Sequence, residues 1–229
     1  MESSLLARLP EIVIQVLAFA FALSIHEASH GWVAERLGDP TARWLGRITL
    51  NPLKHIDPFG TVLFPIMLAV LGAPVIGWAK PVPFVSRNLR NPRRDPALVG
   101  LAGPASNLVM ALAATAFLLL LKAVMPSFQP MLAASLGGAM GASGILPPLL
   151  YLVFAFAMVN LVLAVFNLIP IPPLDGSHVL IALLPGSAAY AVARLAPYGM
   201  FLLFALLWTG VFGAILTPFI HALVWLVLS

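Results

Sequence analysis

The chain has 229 residues, 61% of them hydrophobic and only 9% charged, whereas an ordinary soluble domain carries about 25% charged residues, so it has too few polar side chains to cover a water-exposed surface. Twelve Lys and Arg against eight Asp and Glu leave a net charge of +4; on so apolar a chain this excess reads as loop charge that orients a membrane protein, not as a nucleic-acid footprint. The absence of cysteine excludes a disulfide framework, a thiolate nucleophile and any Cys-held metal, so a metal here must be held by His, Asp or Glu.

Five regions read as membrane elements, because they are apolar all round instead of along one stripe and approach the ~20 residues that cross a hydrocarbon core of ~30 Å. The first runs from about Ile12 to Val33 and carries charged residues that a discarded leader has no use for. The second, about Phe59 to Trp78, is shorter and interrupted by Pro65, Gly72 and Pro74. Arg36, Arg43, Arg47 and Lys54 precede it, and Lys80, Arg87, Arg90, Arg93 and Arg94 follow it. A full crossing would put these basic clusters on opposite sides, so the positive-inside tendency favours a re-entrant loop, whose unpaired backbone groups must be covered by protein or water. The third region spans about Ala97 to Ala123 and the fourth about Leu149 to Ile169, joined by a short uncharged loop from Met125 to Gly144. The last, Ala196 to Leu228, is too long for one straight span and holds Gly210, Gly213 and Pro218, which suits a kinked helix or a helical hairpin. The expected fold is an all-α integral membrane protein, a polytopic bundle of about five to six segments with one re-entrant loop. It forms a single domain over 1–229, with its core at about 12–185 and a C-terminal apolar helix or hairpin at about 196–228.

Near the inner end of region one stands His26-Glu27-Ala28-Ser29-His30. Residues four apart share a helix face, so both imidazoles can reach one metal with Glu27 beside it. Chance alone puts such a pattern into a chain of this composition roughly 0.2% of the time, and ionisable groups inside a membrane segment are costly enough to mark function. Catalytic zinc takes three protein ligands and keeps one position open. The candidate third ligand is Asp175, in Asn167-Leu-Ile-Pro-Ile-Pro-Pro-Leu-Asp-Gly176. There the prolines end region four, the following segment is expected to be extended, and Gly176 allows a turn. Asp175 read alone is also a candidate N-cap of the next helix. The topology brings His26, His30, Asn107 and Asp175 to a similar depth on one side of the membrane.

These motifs, with Asn51-Pro-Leu-Lys-His-Ile-Asp-Pro-Phe-Gly-Thr61, Gly77-Trp-Ala-Lys-Pro-Val-Pro83, Arg90-Asn-Pro-Arg-Arg94 and Gly103-Pro-Ala-Ser-Asn107, resemble the site-2 proteases, intramembrane zinc metallopeptidases. The likeness runs from about His26 to His178 and is to the compact branch without PDZ insertion or nucleotide-sensing (CBS) domain. It implies zinc held by His26, His30 and Asp175, Glu27 as catalytic acid/base, and a transmembrane protein or peptide as substrate. Asn107 and Asn167 are implied near the catalytic centre, as substrate or oxyanion donors or as helix-to-helix bonds. His178 is expected beside the ligands and His55 as a fixture of the re-entrant segment, with His221 a packed polar group. The resemblance further implies a multi-pass protein of a bacterial inner membrane with its site towards the cytoplasm, and it leaves a homo-oligomer open. The alternative reading is a zinc-binding membrane protein that does not cleave, a metal transporter or an assembly factor.

Overall fold

The computed structural model describes residues 2–64, 67, 78–138 and 144–229, and among these it is helical with no strand. The prolines and glycine expected to break the re-entrant segment (Pro65, Gly72 and Pro74) lie outside the described residues, as do positions 139–143 of the loop after region three.

Helix α1 spans Glu2–Arg36 and a short α2 covers Thr41–Trp44. Helix α3 spans Asp95–Val124, α4 Phe128–Leu136 and α5 Leu146–Asn167. Helices α6 (Gly176–Leu183), α7 (Gly186–Ala193), α8 (Gly199–Trp208) and α9 (Val211–Leu228) follow. Among the described residues, five stretches are long and apolar enough to cross a membrane: Leu9–Arg36, Asp95–Val124, Leu146–Asn167, Gly186–Trp208 and Val211–Leu228. The final apolar region is thus two helices, broken where Gly210 takes φ +73°, a left-handed conformation open mainly to glycine.

The centre of the bundle is α1, α3 and α5, each packed against the other two. Lipid is as apolar as leucine, so helices in a membrane are held by close approach and polar contacts, not by water's exclusion. Small residues accordingly line the seams. Ala18 and Ala22 on α1, and Gly100, Gly103, Ala111 and Ala114 on α3, recur at helical spacing, and of these Ala18, Ala22, Gly103 and Ala111 are almost fully buried. Val13, Val16 and Leu17 on α1 and Leu112, Phe117 and Leu120 on α3 point outward, as lipid-facing positions should. Gln15 donates to the Tyr151 hydroxyl at 2.5 Å, fastening α1 to α5 within the apolar zone.

The connection after α3, expected as a plain loop, contains α4. Phe128 and Leu132, one turn apart, are buried in a cluster with Leu118, Leu150, Phe154 and Leu223. The Ser135 hydroxyl, also buried, reaches Pro147 O at 3.2 Å. That periodicity is short, and only tertiary packing makes a helix of it.

A strap from Trp78 to Leu89 runs alongside α1 and is pinned largely by side chains. Asp39, fully buried just past α1, accepts from Val85 N (2.6 Å), Asn88 Nδ2 (3.0 Å), Thr41 N (3.2 Å) and Thr41 Oγ1 (2.5 Å). Burial disfavours its charge, but these donors outweigh burial and hold its carboxyl below the ordinary value. The stabilisation from Asp39 is therefore present above the ordinary carboxylate pKa and fades as pH falls through the lowered one. Asp39→Ala leaves several donors unpaired and should cost about 2–4 kcal/mol, read as a lower unfolding temperature in detergent; an unchanged temperature would remove Asp39 as the strap's anchor.

Candidate metal centre

His26 and His30 lie on the face of α1 that meets α3, and both are buried, at 4% and 8% exposure. Their rings meet edge to face, 4.7 Å between centroids. Asp175 follows the turns after α5. The expected extended run is instead a series of tight turns, with Ile171 N bonded to Ile169 O and Leu174 N to Ile171 O. The reason is packing, since Ile169 and Leu174 tuck inward against Leu203 of α8. Asp175 occupies the N-cap position of α6 but makes no capping bond. Its Oδ2 stands 3.1 Å from His26 Nε2 and 3.3 Å from His30 Nε2, and the two Nε2 atoms are 3.1 Å apart.

The protons of this cluster can be assigned. Ala22 O can only accept, so the Asn107 amide nitrogen faces it (3.2 Å) and also donates to Asn160 Oδ1 at 2.7 Å. Asn107 Oδ1 therefore faces His26 Nδ1 at 2.5 Å and must accept from it. His30 Nδ1 likewise donates to Val99 O at 2.7 Å. Both neutral rings then present Nε2 lone pairs to the centre. Asp175 Oδ2 is buried and without a hydrogen-bond partner. With its carboxylate ionised, Asp175 too is a bare acceptor. With both rings neutral, three lone-pair groups converge, an arrangement that a cation among them would relieve. Tetrahedral ligands at zinc bond lengths of 2.0–2.1 Å stand about 3.3 Å apart, so the donor set fits the ion. Among the described residues, His26, His30 and Asp175 form the cluster able to hold a metal.

Glu27, buried on α1, accepts from Val82 N at 2.8 Å. Asn107 is fully buried and both its amide hydrogens are engaged, so its geometry suits orienting His26 more than donating to a substrate. Asn107→Ala should weaken zinc binding about 10- to 100-fold, as loss of a bond to a metal-bound histidine does, in a competition titration against a chelator; unchanged affinity would end that assignment. Asn167 is half-buried and donates to Leu163 O at 3.0 Å, one turn back on its own helix.

His178 lies edge-on to Phe84 at 5.7 Å, outside the three-group cluster; burial pushes its imidazole below the ordinary value. His55 is buried, its Nε2 on Thr49 O at 2.9 Å, while its own carbonyl accepts from Lys80 N at 3.0 Å. It thus tethers the strap. His221, expected to be packed, is exposed on α9.

Asn160, Asp39 and Arg47 were not singled out as site residues by motif. Asn160 had a readable signal, an amide in the middle of the apolar 22-residue helix α5, away from the Asn167 that ends it. Arg47, counted among the orienting charges, is in fact 7% exposed with its guanidinium on backbone carbonyls.

Residues 14–208 match the model of peptidase family M50. The chain is 36% identical over 217 residues to "Putative zinc metalloprotease YwhC" of Bacillus subtilis (strain 168), covering 95% of this chain and 89% of that protein. It is 29% identical over 197 residues to "Putative zinc metalloprotease Rip2" of Mycolicibacterium smegmatis, covering 86% and 67% respectively. No solved structure matches it significantly.

Proposed function

The chain belongs to peptidase family M50 and is a zinc metallopeptidase, and on that footing we propose that it cleaves membrane-spanning proteins within or beside the bilayer. In this reading His26, His30 and Asp175 hold the zinc and Glu27 is the general base. The observation that carries it is the convergence of two imidazoles and a carboxylate, His26, His30 and Asp175, where α1, α3 and the turn after α5 meet, in a chain whose described residues include five stretches able to span a membrane.

Zinc, when bound, polarises the scissile carbonyl and makes water a nucleophile near neutral pH. The chain's own groups do the rest. Asn107 and Val99 O fix the two rings so that their Nε2 atoms face inward. The Glu27 carboxylate, anchored through Oε2, takes the proton of the attacking water and delivers it to the leaving amine. Asn167, at the end of α5 with its carboxamide oxygen free of a hydrogen bond among the described residues, is the candidate for contact with an extended substrate backbone. A helical substrate hides its peptide bonds and must unwind locally before any of these groups can reach one.

The basic residues flanking the strap lie in the stretch between the C-terminal end of α1 and the N-terminal end of α3, the ends that carry His26, His30 and Asn107, which supports a cytoplasmic opening in a bacterial inner membrane. The test is purified protein in detergent, assayed for zinc and for cleavage of a single-span membrane protein beside a soluble peptide of the same sequence. One zinc per chain with preferential cleavage of the spanning substrate is expected; cleavage confined to the soluble peptide would overturn the intramembrane reading. Asp175→Ala should lose both zinc and activity, and retained zinc would remove Asp175 from the ligand set.

A further inference from the structure

We propose that Arg47 is a positioning residue for Glu27, acting through one peptide group of the strap, the Pro81–Val82 unit. The inference rests on Glu27 being the base.

Pro81 and Pro83 have no N–H, so Val82 supplies the single amide donor of that Pro-Val-Pro run, and it is spent on Glu27 Oε2 at 2.8 Å. The carbonyl of the same peptide unit, Pro81 O, lies 3.4 Å from Arg47 Nη2, and Lys80 O lies 2.5 Å from that nitrogen. A cation on the oxygen side and an anion on the N–H side polarise one amide in the same sense, and hydrogen bonds in such a chain strengthen one another at low dielectric. Arg47 thereby sharpens the donation that fixes Glu27, leaving Oε1 for the attacking water.

Two further observations fit this role. Arg47 is buried at 7% exposure and its Nε has no partner, while the ion pairs among the described residues do not include it. A buried, incompletely satisfied guanidinium is costly, and tethering a loop does not require one. The approach of the strap is also built in by Gly31, one turn after Glu27 on α1. A Cβ there would stand 3.1 Å from Val82 Cγ1 and 3.0 Å from both Ala42 Cβ and Ile48 Cγ1. The side chain of α1 that would hold the strap away is therefore missing at the level of the base.

The experiment compares Arg47→Ala, Arg47→Lys, Val82→Pro and Glu27→Gln for zinc content, kcat and KM, with hydrogen exchange of the 78–86 segment measured on the metal-free proteins. Arg47→Ala and Val82→Pro should each lower kcat about 10- to 100-fold, the scale of a catalytic group displaced by ~1 Å, with KM and zinc near wild type. Arg47→Lys, which keeps the charge but reaches fewer carbonyls, should recover part of the loss. Exchange in 78–86 should quicken in Arg47→Ala. Should that variant not accumulate as folded protein, Arg47→Lys carries the test of the guanidinium, beside Val82→Pro, which removes the amide donor together with the valine side chain. Wild-type kcat in Val82→Pro or in folded Arg47→Ala would overturn the proposal, as would loss of kcat accompanied by loss of zinc. Active Glu27→Gln would instead sink the underlying assignment of the base, whatever Arg47 does.

Discussion

Glu27→Gln is expected to bind one zinc per chain and to lose cleavage by about 10²- to 10⁴-fold, the range supplied by a positioned general base. The substitution keeps the shape of the side chain and an oxygen able to accept from Val82 N, so the strap should stay in place. Metal should stay as well, because the side chains close enough together to hold an ion are those of His26, His30 and Asp175, without Glu27. What is lost is the capacity to take up a proton: an amide oxygen at neutral pH does not. Zinc analysis beside a cleavage assay reads both halves of the expectation. A variant retaining activity within about tenfold of wild type would place the base elsewhere, since a missing base costs at least ~10²-fold. A variant that lost its zinc would make Glu27 part of the metal's support.

Gly103→Ala should do comparable damage from a residue that binds nothing. A Cβ at this position of α3 would fall 2.4 Å from His30 Nε2 and 2.6 Å from both His26 Cε1 and His30 Cε1. These are the ring atoms on the metal side, and the rings have little freedom to retreat because Nδ1 of each is bonded on the far side. The methyl therefore occupies the space the ligands need. Alanine is the better helix former by about 1 kcal/mol, so the helix itself gains while the site fails. Expected are zinc occupancy well below one per chain and activity down more than about 100-fold, with the helical circular dichroism of the wild type. Full zinc occupancy would show that α3 can shift outward to admit the methyl, and the close packing of α3 on α1 would then be adjustable.

The parts of the site that came through in the residue pattern are those whose chemistry demands fixed local spacing. Two imidazoles four apart on a helix, and a carboxylate just past a proline-broken helix, are statements about neighbours in the chain, and the histidines do share one face with Asp175 opposite. The membrane helices were legible for the same reason, hydropathy being a property of contiguous residues. What escaped depends on distant pieces. The role of Arg47 requires knowing that Lys80 and Pro81 lie over it, and in the chain it is indistinguishable from the orienting charges around it. The role of Gly103 depends on α1 crossing it. Asp175 does stand beside the two histidines, but on tight turns and not on the extended run expected, because the inward pull of Ile169 and Leu174 is a tertiary effect that prolines alone do not reveal. Asn107 was drawn to the right neighbourhood by resemblance; the pairing with His26 and Asn160 that occupies its amide is visible only once three helices are packed.

The distribution of the three donors along the chain has a consequence for how the protein is made. His26 and His30 emerge early, on the first helix, whereas Asp175 comes only after α3 and α5 have been synthesised and inserted. Until then the two imidazoles lack their third partner and the Asn107–Asn160 amide pair that orients one of them. The site is therefore complete only once the chain has been made through Asp175 and α1, α3 and the turns after α5 have come together.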